Sequence, residues 1–211
     1  MGVIKKTITI GVVTLGFAGL AGTAAHAALT ANSQLTQVIT AGTASTSIRD
    51  ASGAIVTGTP AFAMTATTVS TTAQTSTGVF GSDAQRITVD NPGAVTTGTW
   101  NLSLNATVPG TGVWTSGSNT YLYNGTAVTG QLTINPAAAT PTYTVGTGTG
   151  LTLGTAATFT GSTPITLWTA ASGADDVWNG FLTGIGVSQV IPASTPAGTY
   201  VLNMTQTLAV V

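Results

Sequence analysis

The chain has no cysteine and no glutamate, a single histidine and four basic residues, and each shortage removes a class of chemistry. Both lysines, Lys5 and Lys6, and the histidine, His26, fall within the first 27 residues. Beyond them stand only Arg49 and Arg86 against Asp50, Asp83, Asp90, Asp175 and Asp176. A serine or threonine nucleophile needs a His or Lys base within hydrogen-bond reach, so a serine-hydrolase triad is excluded. Zinc and copper lose their usual His and Cys ligands by the same shortage. No basic surface exists for phosphate contacts, which excludes nucleic acid as a partner. Cysteine also leaves no disulfide staples, but a mature chain of about 184 residues is long enough to bury a core without them.

The N-terminus places Lys5 and Lys6 before an apolar run from Ile8 to Leu20 and a small-residue exit at Ala25-His26-Ala27. That order is the layout of a secretory signal peptide, with cleavage expected after Ala27. The run is interrupted by Thr14, Gly16 and Gly19 and is shorter than the roughly 20 residues that span a bilayer. Residues 28–211 are therefore expected to form the mature, exported chain, with no membrane span of its own. It also lacks a cysteine for lipidation and a Leu-Pro-x-Thr-Gly sorting motif.

What is abundant is threonine, the commonest residue, with alanine, glycine, serine and valine around it. Branched Cβ atoms pack well on a pleated surface and lose rotamer freedom in a helix, so the composition favours strands. With 43% hydrophobic and 4% charged residues, the chain is not of the low-hydrophobicity, high-charge kind that stays disordered.

Period-two patterning locates the strands. Trp100, Leu102, Leu104, Ala106 and Val108 alternate with Asn101, Ser103, Asn105 and Thr107. Near the C-terminus Tyr200, Leu202, Met204, Leu208 and Val210 share a face, with Gln206 breaking the pattern. Shorter candidates are Leu35–Thr40, Thr46–Arg49, Ala54–Thr57, Ala61–Ser70, Gln85–Asp90, Thr120–Tyr123, Gln131–Asn135, Thr142–Val145, Pro164–Trp168 and Gly186–Ile191. Turn chemistry such as Asp50-Ala-Ser-Gly53, Asn124-Gly125 and Pro196-Ala-Gly198 separates them. Helix is expected at most as a turn near Ala174 to Asn179. The fold class expected is all-β, an antiparallel β-sandwich or jelly roll, in one domain. The low-complexity stretch 137–160 reads as a long loop or weak edge hairpin inside that domain, with a junction between two lobes as the alternative.

Candidate sites are sparse. Asp175 and Asp176, with Asn179 nearby, form the densest cluster of oxygen ligands and make a candidate Ca²⁺ site; the plainer reading is a solvated acidic loop. Five carboxylates do not single out the acid pair that a glycosidase needs, so no enzyme is expected. Trp100 and Trp168 lie in alternating strands and read as core. Trp114, Tyr121, Tyr123 and Trp178 sit beside Gly, Ser and Asn and read as an exposed platform on which sugar rings could stack. Asn-x-Ser/Thr sequons start at Asn101, Asn105, Asn124 and Asn203, and side-chain alternation puts Asn101, Asn105 and Asn203 on solvent faces.

Three pieces carry a resemblance: Arg86-Ile-Thr-Val-Asp90-Asn-Pro92, then Thr99-Trp100-Asn-Leu102 opening a strand, then Ile191-Pro-Ala-Ser-Thr-Pro196-Ala-Gly198-Thr-Tyr200. Together they resemble the bacterial WxL-domain surface proteins, over about Val79 to the C-terminus. The family has a second Trp-x-Leu in its last strand, where this chain has Gln206-Thr-Leu208. The resemblance implies a β-sandwich displayed on the cell surface and held noncovalently to the envelope, in the family's case to peptidoglycan. Of the family's binding motif, Trp100 and Leu102 carry over.

Three functions stay open at this point: an envelope-associated structural or wall-binding protein, a self-assembling pilus-like or array subunit, and a carbohydrate-binding module. In the second, the partner is another copy of the chain, whose sheet is completed by the alternating segment Leu29 to Ile39.

Overall fold

A computed structural model describes residues 34–39, 42–93, 99–174 and 177–210. The residues expected to form a signal peptide and the acidic pair Asp175 and Asp176 lie outside these residues. Among the described residues fourteen strands follow in chain order. They begin with β1 (Ser45–Arg49), β2 (Gln74–Phe80), β3 (Arg86–Pro92), β4 (Trp100–Ala106), β5 (Val113–Ser116), β6 (Asn119–Leu122) and β7 (Gln131–Asn135). A 3-10 turn, Pro136–Ala138, separates β7 from β8 (Thr140–Val145), β9 (Leu151–Leu153) and β10 (Ala157–Thr158). The last four are β11 (Ile165–Ala170), β12 (Val177–Thr183), β13 (Ile185–Ile191) and β14 (Met204–Val210).

All pairings are antiparallel, in three four-stranded sheets ordered β1-β3-β12-β8, β10-β7-β13-β2 and β14-β4-β11-β9, with β5-β6 as a separate hairpin. The first two sheets are continuous across a corner. There β2 leads into β3 and β12 into β13, and the Gly184 N–H donates to the Gly81 carbonyl at 2.9 Å. Both glycines have positive φ, 79° and 88°, a backbone that L side chains rarely adopt, so the bend is written into the sequence at these two positions. The third sheet packs its inner face on both halves of this bent layer, giving the expected sandwich.

The core follows from alternation. In β4, Trp100, Leu102, Leu104 and Ala106 are buried and the residues between them are half-buried. They meet Ile87 and Val89 of β3, Leu132 and Ile134 of β7, and Trp178 and Leu182 of β12 in one apolar cluster. Each large side chain buried in this way contributes about 1.5–3 kcal/mol. A register shift between Thr166 and Trp168 turns the consecutive residues Leu167 and Trp168 both inward, as a β-bulge allows.

Several sequence expectations need correction. No helical turn lies at Val177 to Asn179: these residues open β12, which pairs with both β3 and β8. Asn179-Gly180 looks like a turn in the sequence, but Gly180 is glycine because of close approach: a Cβ there would sit 2.7 Å from the Thr142 carbonyl oxygen. Residues 34–39 carry no strand. Ala54–Thr57 and Ala61–Ser70 reduce to isolated bridges, Arg49 to Ile55 and Met64 to Gly78. The stretch 137–160 supplies β8, β9 and β10, each the edge of a different sheet. Residues from Ile39 onward form one compact unit. No helix among the described residues is long and apolar enough to cross a membrane.

Candidate functional site

The aromatic side chains divide into a sealed group and a half-exposed group, and the division departs from the sequence expectation. Trp178 and Tyr123, expected on an open platform, are both 0% exposed, while Leu102 is 0% and Trp100 3% exposed. Trp178 packs edge-on against Trp168 at 4.7 Å between ring centroids and lies 5.4 Å from Trp100, so it belongs to the centre of the sandwich. Tyr123 stacks edge-on against Phe159 at 5.2 Å and its hydroxyl accepts from the Gly110 N–H at 3.1 Å. It pins a loop over the core, and none of these four side chains offers a surface to a ligand.

Trp114 and Tyr121 remain half-exposed and are joined by a residue that the sequence reading left out. Their rings stack at 6.0 Å and 16°, and Tyr200 lies 5.0 Å from Tyr121 at 55°. The platform is rigid at its root, because the Trp114 indole N–H donates to the Oε1 of buried Gln189 at 2.8 Å. Burial, and then the neighbouring Tyr200, push the Tyr121 phenol up to about 12. Tyr200 faces a recess of about 280 Å³ between residues 67–74 and the loop 192–198.

A larger feature lies between the sheets. A cleft of about 500 Å³ opens between β2 with residues 59–64 on one side and β14 on the other, and core side chains form its floor. Phe62, Phe80, Leu104, Ile134 and Met204 line it. On the β14 side the cleft is lined by the amides of Asn203, just before the strand, and Gln206, whose Nε2 donates to Thr46 Oγ1 at 2.9 Å. Its Oε1 is buried and has no hydrogen-bond partner among the described residues. On its far side β14 pairs with β4, and its cleft-side edge has no strand partner among the described residues. The residue that interrupts the last strand's alternation is thus the sequence signal for the cleft. Leu35 is 98% exposed, and Val38 and Ile39 are each 85% exposed.

The charged groups pair locally. Arg49 binds Asp90 at 2.6 Å and Arg86 binds Asp83 at 3.0 Å, while the Arg86 guanidinium also lies 4.3 Å from the Phe181 ring centroid. Asn179 is in β12, its carbonyl accepting from Thr144 Oγ1; its proposed companions Asp175 and Asp176 lie outside the described residues. Among the described residues no group of three His, Cys, Asp or Glu side chains comes together. Of the sequon residues, Asn203 is exposed, whereas Asn101, Asn105 and Asn124 are half-buried and spend their amides on Thr166, Ser162, Gly110 and Gly161.

No protein-family model matches the chain, and no curated protein or solved structure is detectably similar to it.

Proposed function

We propose that the mature chain is an exported, non-catalytic structural protein of the cell surface that assembles with copies of itself by strand exchange. In this reading residues 28–39 of one copy lie along the free edge of β14 in the next and fill its apolar cleft. The observation that carries it is the cleft: a strand with one edge unpaired among the described residues, a floor of core side chains and, at Gln206 Oε1, a buried acceptor with no donor among those residues. An unpaired strand edge is a template for another chain, and strand addition draws affinity from main-chain hydrogen bonds and specificity from alternate side chains.

The occupant is argued from the chain itself. Leu35, Gln37 and Ile39 fall on one face of an extended segment, and the two apolar ones are almost fully exposed on their own copy. Burying them in a neighbour's cleft is worth about 1.5–3 kcal/mol each. Neither partner carries charge at the contact, so nothing ionic has to be desolvated. Noncovalent retention on the envelope, as the WxL resemblance implies, fits a subunit held by its neighbours. Trp100 and Leu102 serve this reading as core residues.

The test is sedimentation and electron microscopy of the purified 28–211 chain beside a chain lacking residues 28–41. Filaments or oligomers from the first and a folded monomer from the second are expected. A full-length mature chain that stays monomeric at high concentration sinks the proposal.

A further inference from the structure

Beyond assembly, we propose that the recess beside Tyr121 and Tyr200 is a binding site for a neutral saccharide. Three features of the recess support it. Its volume of about 280 Å³ is close to the about 300 Å³ at which small-molecule pockets begin, so it fits a ligand the size of one or two rings. Its walls carry hydroxyl and amide groups, those of Ser70, Thr72, Gln74 and Thr195 among them, and no charged residue. Tyr121 and Tyr200 add aromatic surface at one end.

The site is held in place before any ligand arrives. The Ser194 N–H donates to the Ser70 carbonyl at 2.7 Å, tying the loop 192–198 to the opposite wall. Ser194 adopts φ 57°, the one non-glycine residue at positive φ among those described. Such backbone persists only where its surroundings impose it, and it clusters at ligand clamps. Thr195 Oγ1 donates to the Pro192 carbonyl at 2.7 Å and the Tyr200 hydroxyl to the Pro196 carbonyl at 3.0 Å, which fixes the loop internally. Behind them the stack of Tyr121 on Trp114 rests on buried Gln189.

The chemistry selects among ligands. An anion finds no cation in the recess. A proline-rich peptide, the other ligand that favours tyrosine-lined grooves, docks on aromatic surface, and of the two tyrosines that line the recess Tyr200 already donates its O–H to Pro196, which leaves Tyr121 as the single ring donor. A sugar brings its own O–H donors to the threonine and serine oxygens and an apolar C–H face to the tyrosine rings. The sequence reading of a carbohydrate platform therefore keeps Tyr121 but moves to Tyr200 and the hydroxyl wall.

The test titrates the purified 28–211 chain with chitotetraose, cellotetraose and maltotetraose by calorimetry, with a decaproline peptide alongside. Saturable binding of one of the sugars is expected, weakened about tenfold or more by Tyr200→Ala and largely kept by Tyr200→Phe. Gln74→Ala, remote from the ring stack, is expected to weaken it as well and covers the case in which Tyr200→Ala fails to fold. Deleting residues 28–41 is expected to leave it unchanged, which separates this site from assembly. No heat with any of the three sugars, affinity unchanged in both Tyr200→Ala and Gln74→Ala, or binding of decaproline alone overturns the proposal.

Discussion

Gln206 of β14 reaches Thr46 of β1, its Nε2 donating to Thr46 Oγ1 at 2.9 Å, while Thr46 Oγ1 donates onward to the Thr88 carbonyl at 2.9 Å. This chain of two bonds ties the third sheet to the first and leaves the other end of the amide, Oε1, buried without a partner among the described residues. A buried acceptor without a donor costs about 1–3 kcal/mol. Gln206→Leu removes that cost and keeps side-chain size, at the loss of one hydrogen bond worth about 1 kcal/mol. The monomer is expected to gain up to about 2 kcal/mol in urea unfolding, while assembly weakens because an inserted strand loses its acceptor. A destabilised monomer with unchanged assembly would mean that the Thr46 bond outweighs the orphan and that the amide is no part of the contact.

The inserted segment can be located chemically, because the chain has no cysteine to confuse the result. Leu35→Cys and Met204→Cys, made in separate copies and mixed under mild oxidant, are expected to give a mixed disulfide. Such a bond forms only when the Cβ atoms come within about 4.5 Å. Ile39→Cys is the partner to try if the register is displaced, since it shares a face with residue 35. If neither variant cross-links to Met204→Cys, the segment does not lie along β14.

The sealed aromatics should behave as core. Trp178→Ala is expected to cost about 3–5 kcal/mol in denaturant unfolding, since it empties space against Trp100 and Trp168 and beneath Tyr143. Trp114→Ala, at a half-exposed site, is expected to cost less than half as much. Equal and small losses for both would place Trp178 at the surface after all.

The contrast between these tryptophans shows what local sequence can and cannot reveal. β4 and β7 are legible because each has one face in the core and one outside, so the period of two is written directly into the residues; β7 spans the very residues expected, Gln131–Asn135. β12 is hidden because Gly180 interrupts its inward face between Trp178 and Leu182, and its Asp-rich entry and Asn179-Gly180 imitate a turn. β2 is hidden for another reason: its inward residues are Ser76, Gly78 and Phe80, only one of them large. Tyr123 reads as exposed because Asn124-Gly125 follows it, yet the Asn124 amide is spent on the Gly110 and Gly161 carbonyls. Polar neighbours mark exposure only when their hydrogen bonds go to water. The cleft and the recess join residues far apart in the chain, and of them only the interruption at Gln206 is visible in one strand.

The last prediction concerns alkaline pH. The Tyr121 phenol is raised from 10.0 to about 12 by burial and by Tyr200. Between those values the folded chain keeps a proton that the unfolded chain has released. Stability therefore falls as pH rises, by linkage, with the contribution intact below 10.0 and lost through about 12. Absorbance at the tyrosinate band should show a late-titrating component from Tyr121 in the folded chain, and Tyr121→Phe should remove that component and flatten the loss of stability. If Tyr121→Phe leaves both the titration and the alkaline unfolding unchanged, Tyr121 is not held in the ring stack on Trp114. A Tyr200→Phe chain sharpens the result, since it removes the neighbouring hydroxyl and keeps the ring: the late phenol should then titrate somewhat earlier, yet still above 10.0, because burial is the larger cause.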